Sequence, residues 1–450
     1  MIRRASGLLL LCALGCATAS PQSRVSPAVI HLGQVPPTIG GTVLELFPQA
    51  RQKHGLPAEA RGALLTEVLS GGPADRAGLR TGDLIQAIDG APVETPCALL
   101  KAVAERPAGQ EVRLTFLRGK ASSKVSLRLA DTVNLTTEAC DRGDAYGCQF
   151  LGAVYTLLGQ NEASAARAAE LYQRSCEAGF VGGCSALGSS YLNGKGVRRD
   201  EKRALELFEK ACEAGNAEAC TSAGRHYGCC GDKAPDNARA AAFFLRGCAA
   251  GDPQGCRSAG SLYHEGRGVE KEAARAADVF RQACEMGVFD ACTDLGYQTV
   301  NGEGVPRDEA RAVDLFRRAC EGNDCTAGDP LGCNNLAILA RNGQGIPENK
   351  LLAAIFFQQA CAGGVADACA EWGGMLGTGE GLEKDEPRAA ELYERGCDLG
   401  SSLGCYNLGV VHETGSGVTQ DLARALDFYR KACDLGEADA CEEAARLQER

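Results

Sequence analysis

Thiols are the side chains whose type and spacing could do chemistry in this chain. Eighteen of its 24 cysteines fall into nine pairs: Cys140/Cys148, Cys176/Cys184, Cys212/Cys220, Cys248/Cys256, Cys284/Cys292, Cys320/Cys333, Cys361/Cys369, Cys397/Cys405 and Cys433/Cys441. All but one pair enclose seven residues, and successive pairs recur at 36, as in Cys148, Cys184, Cys220 and Cys256. Such an array either oxidises or holds metal. Zinc is poorly served, because no Cys-x2-Cys occurs, no histidine stands beside the pairs, and a seven-residue gap exceeds ordinary ligand spacing. No metal and no cofactor are expected. Thiols in this number and phase favour an oxidising compartment over a reducing cytosol.

A fixed period of this length means repeated units, each burying its apolar face only against its neighbours. Four residues after the second cysteine stands a small residue: Gly152, Gly188, Gly224, Gly260, Gly296, Ala337, Gly373, Gly409 and Ala445. A glycine inside a helix costs about 1 kcal/mol against alanine, so its recurrence predicts a close approach at that point. Glycine loops follow, for example Asn193-Gly194-Lys195-Gly196-Val197, and supply the positive φ that a short helix reversal needs. Next comes a stretch of helical period. Ala204, Leu207, Phe208 and Ala211 form one apolar stripe that ends at Cys212.

The unit resembles the Sel-like repeat, a relative of the tetratricopeptide repeat, and more closely the Helicobacter cysteine-rich proteins. The resemblance implies an all-α, disulfide-bridged αα-repeat solenoid over residues 132–450, with about eight repeats and a cap. It also implies a disulfide within each pair, closing the turn from one repeat to the next helix. The spacing suits that bond, since one cysteine ends a helix, a Gly turn follows, and the other opens the next helix. Closing so short a loop contributes about 2–3 kcal/mol on the chain-entropy account. Between Cys320 and Cys333 five residues are inserted, among them Cys325, which sits seven residues before Cys333. Either could be the partner, and position in the helix favours Cys320.

Residues 33–131 have a different, β-rich texture. Gly62 to Val68 alternates as a strand, Gly71 to Leu79 reads as a turn into one short helix, and Thr81 to Gly90 reads as a turn, a strand and a tight turn. Thr95 caps a helix with Pro96 at its first position, running to about Glu105. Val112–Gly119 and Val125–Leu129 close as a hairpin. The block GGPADRAGLRTGDLIQAIDG resembles the PDZ domain of bacterial HtrA-type proteases. That resemblance implies a small α+β domain that holds a peptide C-terminus on backbone N–H groups and adds the peptide as a strand beside a helix. The matching peptide-binding positions are Ile39, Gly40, Gly41 and Thr42 in the loop and Leu99 and Ala102 in the helix. Gly41 departs from the family, which usually has an apolar residue there. Cys97 falls in the same helix, where a small packing residue is the plain reading and a reactive thiol the sharper one.

At the N-terminus Arg3 and Arg4 precede an apolar run from Leu8 to Leu14, which reads as a secretory signal over residues 1–19. Ala13-Leu14-Gly15-Cys16 resembles a bacterial lipobox and would leave Cys16 lipidated; Ala17-Thr18-Ala19 suits ordinary signal peptidase. Residues 20–32 form a linker. The expected location is the periplasm or the outer membrane as a lipoprotein, with secretion as the alternative.

A net charge of −11 with no Lys/Arg cluster excludes nucleic acid as a partner. Gly-x-Ser-x-Gly, Ser-x-x-Lys and Lys-Thr-Gly do not occur, and no protease or β-lactamase nucleophile is expected. The leading expectation is a non-enzymatic envelope scaffold that docks protein C-termini and other envelope proteins, touching the membrane only through an N-terminal lipid. Alternatives are the penicillin-binding or β-lactamase-like role associated with the cysteine-rich family, or regulation of an envelope protease. On the wall lined by first helices, Asn335 and Asn407 could grip a peptide backbone, with a solvated polar face as the plainer reading. Cys229-Cys230 replaces the Asn-Gly of one loop and is either a vicinal disulfide or a redox-active pair. Peptide mass spectrometry of the unreduced protein distinguishes them: mutual pairing of Cys229 and Cys230 removes the redox reading.

Overall fold

The computed structural model describes residues 38–44, 46, 48–158, 161–230, 235–322 and 328–449. Cys16 with its leader and linker, and Cys325, lie outside these residues, as do the side chains of Cys229 and Cys230. One compact unit ends at Met286 and a second begins at Gly287.

The chain begins with β1 (Gly41–Leu44), α1 (Pro48–Lys53), β2 (Ala63–Val68), α2 (Pro73–Arg76), β3 (Leu84–Ile88), β4 (Ala91–Pro92), α3 (Pro96–Ala104), β5 (Glu111–Arg118) and β6 (Ala121–Arg128). The strands pair antiparallel in the order β1-β2-β3-β5-β6, with β4 also on β3, so β1 is an end strand among those described. Leu65, Ile85, Leu99, Leu114 and Leu127 fill the core between sheet and helix. Thr95 caps α3, its hydroxyl accepting from Ala98 N–H at 3.2 Å. The GD turn is held by charge. Asp83 is buried, and its carboxylate accepts two 2.7 Å bonds from Arg118 and one of 2.8 Å from Arg80 N–H. The closing hairpin differs from the sequence expectation at one end. Strand β6 starts at Ala121, paired with Arg118, so the polar Ser122, Ser123 and Lys124 belong to the strand. They line an exposed edge, where apolar alternation is not required.

The repeat array follows with α4 (Thr132–Asp141), α5 (Ala145–Leu158), α6 (Glu162–Glu177) and α7 (Val181–Asn193), and helical hairpins of the same form continue to Gln448. Aspartate or asparagine caps recur at the second helices: Asp200, Asp308, Asn349, Asp385 and Asp421 each accept a backbone N–H three residues on. Within a repeat, the conserved spacing of small residue and ring explains the glycine. A Cβ on Gly188 would lie 2.8 Å from the Phe208 ring, on Gly260 2.6 Å from Phe280, and on Gly296 2.7 Å from Phe316. The close approach is therefore ring onto helix: at Gly188, Gly260 and Gly296 the first helix is bare where the second helix lays an aromatic face on it, and at Ala337, in one cluster with Phe357, only a methyl intervenes. Ala204, Phe208 and Ala211 are buried as the stripe requires, and Leu207 is half-buried. At the loop, Gly194 and Gly196 have φ of 64° and 72°, and a Cβ on Gly196 would run into the Ala165 carbonyl.

Disulfides join Cys140–Cys148, Cys176–Cys184, Cys212–Cys220, Cys248–Cys256, Cys320–Cys333, Cys361–Cys369, Cys397–Cys405 and Cys433–Cys441. Cys284 and Cys292 are both disulfide-bonded as well. Each bond ties the end of a second helix to the following first helix; Cys212 closes Glu201–Glu213, and Cys220 lies on Ala217–Arg225. Cys97 on α3 is also disulfide-bonded, so it is neither a simple packing residue nor a reactive thiol.

The ring-on-glycine seat has a direct test. Gly296→Ala gains about 1 kcal/mol of helix propensity but overpacks the Phe316 ring by about 1–3 kcal/mol. Thermal unfolding is expected to show a lower Tm, and an unchanged or higher Tm contradicts the seat.

Candidate peptide-binding site

Loop residues Thr38 to Gly41 enter β1 under tight backbone control. Thr38 and Ala130 exchange two 3.0 Å backbone hydrogen bonds, and Gly40 N–H donates to Thr38 Oγ1 at 2.9 Å. The Ile39 carbonyl accepts from Ala74 N–H, and the Gly40 carbonyl from Leu69 N–H. Gly40 has φ of 82°, and a Cβ there would press on Pro73. At Gly41 a Cβ would lie 2.6 Å from the Glu67 carbonyl, which accounts for a glycine where related loops carry an apolar side chain. The groove candidates separate by burial. Thr42 and Ala102 are half-buried and offer surface, whereas Ile39 and Leu99 are 5% and 1% exposed. The two buried residues belong to the core, and helical period points Leu99 into it while Ala98 and Ala102 share the neighbouring face.

Sequence reasoning missed the residues that the repeat array brings to this loop. The first helices dock on it through a cluster of buried Leu69, Leu135, Ala139 and Tyr146, flanked by Ala130, Phe150 and Phe180. Tyr146 Oη donates to Thr42 Oγ1 at 3.4 Å, across 104 residues of sequence. Burial pushes the Tyr146 phenol up to about 12, with the carboxylates of Glu67 and Asp144 adding to it and the Thr42 bond opposing. Nothing local in the sequence signals this contact; the only hint is an aromatic pair, Tyr146 and Phe150, at i and i+4.

Elsewhere in the array, Asn335 is 4% exposed and its Oδ1 has no hydrogen-bond partner. It does not belong to a solvated face, as the plainer reading had it. Asn407 is half-buried. Among the described residues no cluster of His, Cys, Asp or Glu could hold a metal ion, and no helix is long and apolar enough to cross a membrane.

Comparison with known proteins now has a geometry to attach to. The Sel1 repeat model matches residues 145–180, 182–216, 217–252, 253–288, 289–324, 330–365, 366–401 and 402–437, and the PDZ domain model matches 45–129. The chain belongs to the Sel1 repeat family and carries a PDZ domain ahead of the repeats. Among curated proteins it is 34% identical over 113 residues to the serine protease HhoA of Synechocystis, covering 23% of this chain and 29% of that protein. It is 29% identical over 133 residues to a DegP-like periplasmic serine endoprotease of Rickettsia conorii, covering 28% and 26%. The chain thus spans under a third of these relatives. Among solved structures, a protective antigen of uropathogenic Escherichia coli with an SLR fold is similar at 26% identity and TM-score 0.60, covering 70% of this chain and 67% of that one. Helicobacter pylori cysteine rich protein B is 28% identical over 30% of this chain and 94% of its own, with TM-score 0.25.

Burial also raises the Glu67 carboxyl above its ordinary range. A raised native pKa means the folded domain binds that proton more tightly than the unfolded chain, so the charged form costs stability once pH exceeds the ordinary carboxyl range. Glu67→Gln is therefore expected to keep or raise Tm at pH 7. A lower Tm at pH 7 contradicts this.

Proposed function

We propose that this chain is a non-catalytic adaptor of the cell envelope. Its PDZ domain takes the free C-terminus of another polypeptide, and the first helices of its repeats dock a second protein. The observation that carries this reading is an end strand, β1, entered from a loop whose backbone is fixed on both sides, with Val43 of β1 and the half-buried Ala102 of α3 packed against the same core. A strand at a sheet edge presents unpaired backbone groups, and a C-terminal segment can pair with them while its carboxylate sits on loop N–H groups. The disulfides support residence outside the cytoplasm, and Cys16 would anchor the protein as an outer-membrane lipoprotein. Kinship of the PDZ part with HtrA-type proteases favours one further reading, that the protein presents or withholds clients of an envelope protease.

Panning the full chain against a display library of peptides with free C-termini tests the central claim. Enriched peptides should lose roughly tenfold or more in affinity when resynthesised as C-terminal amides, the loss expected of a charge-assisted contact. Equal binding of acid and amide forms contradicts carboxylate capture.

A further inference from the structure

We propose that the first repeat completes the peptide groove, and that Thr42, Tyr146, Phe150 and Glu67 together read one ligand side chain, selecting lysine or arginine at that position. The inference rests on the C-terminal-peptide reading above and adds a specificity to it.

The argument follows from the pleat. A peptide added to the edge of β1 that no described strand occupies places one residue opposite Thr42, with its side chain on the same face and its Cβ about 4.5–5.5 Å away. That face is not open to solvent alone. Tyr146 Oη reaches the Thr42 hydroxyl at 3.4 Å, and Thr42 Oγ1 also lies 3.3 Å from Thr66 Oγ1. Phe150 stands beside Tyr146 with ring centroids 6.0 Å apart and remains half-buried. Gly41, Leu69, Tyr146 and Phe150 line one small recess against the loop. The ligand side chain opposite Thr42 therefore runs along an aromatic wall contributed by α5.

Charge selects among side chains that could lie on this wall. Glu67 is the register partner of Thr42 on β2 and is half-buried, and Asp144 sits at the start of α5, its Oδ1 accepting from Gly147 N–H at 2.7 Å. Both carboxylates act on the Tyr146 hydroxyl. Two nearby cations are already engaged: Arg142 is directed toward Gly71 and pairs with Glu138 at 3.8 Å, and Arg76 donates to the Gly71 carbonyl. A long side chain with an apolar stem and a cationic head matches the wall and the acids, because such chains lay their methylenes on apolar surface while the charge stays solvated. Aspartate or glutamate at this position meets like charge.

The same library, panned on the full wild-type chain and on Glu67→Gln, Phe150→Ala and Tyr146→Phe, tests the proposal. Wild type should enrich Lys or Arg at a single position near the C-terminus, since Thr42 directly follows the loop. Glu67→Gln should cut that enrichment about three- to fivefold, in the range of a partly exposed ion pair, and Phe150→Ala should broaden the position to small residues. Phe150→Ala could lose fold; Glu67→Gln, whose Tm is expected to hold, carries the test in that case. Enriched peptides with no basic preference, or a preference that Glu67→Gln leaves unchanged, overturn the proposal alone. Enrichment of no peptide by wild type removes the C-terminal-peptide reading, and this inference with it.

Discussion

An aromatic ring laid on a small residue of the facing helix is the contact on which the repeats depend. A helical hairpin of this length has no interior of its own, and the Phe208 and Phe316 rings are fully buried where the facing helix carries glycine. Burial of such a side chain contributes on the order of 1.5–3 kcal/mol, too little to fold one hairpin alone. Every hairpin therefore needs the next, and the disulfides hold the two together where the chain turns. In the denatured chain each closed turn has fewer conformations to lose, which adds to stability independently of the packing.

The same logic explains how the amino-terminal domain is attached. Its loop and β1 do not end at a flexible joint: Ala130 pairs with Thr38, and Leu135, Ala139 and Tyr146 close over Leu69. The first hairpin thus covers its apolar face with a sheet where later hairpins use another hairpin. A consequence is that β1 with its loop and the start of the repeats share hydrogen bonds and one apolar cluster. The edge strand and the geometry of the first repeat are physically connected through Thr42 and Tyr146.

Much of this was legible in the residues. Cysteine phase, the small residue four positions on, and paired loop glycines each mark a backbone requirement that few side chains meet, so they read directly from sequence. Thr95-Pro96 likewise announces a cap. The misreadings share one cause, dependence on tertiary neighbours. Asn335 looked solvated and is buried. Strand β6 begins four residues before its apolar pattern because an exposed edge tolerates serine and lysine. Tyr146 gives no local signal, since its partner Thr42 is fixed only when the domain and the repeats dock.

Reductant-dependent unfolding tests the account most directly. Native protein would be heated with and without a reducing agent, with circular dichroism following the helices and free thiols counted at each point. The account predicts few titratable thiols before reduction, and after it a helical transition that is both lower in Tm and broader, as hairpins come apart singly. A native thiol count near the total of 24 cysteines, or an identical helical transition after complete reduction, would contradict it.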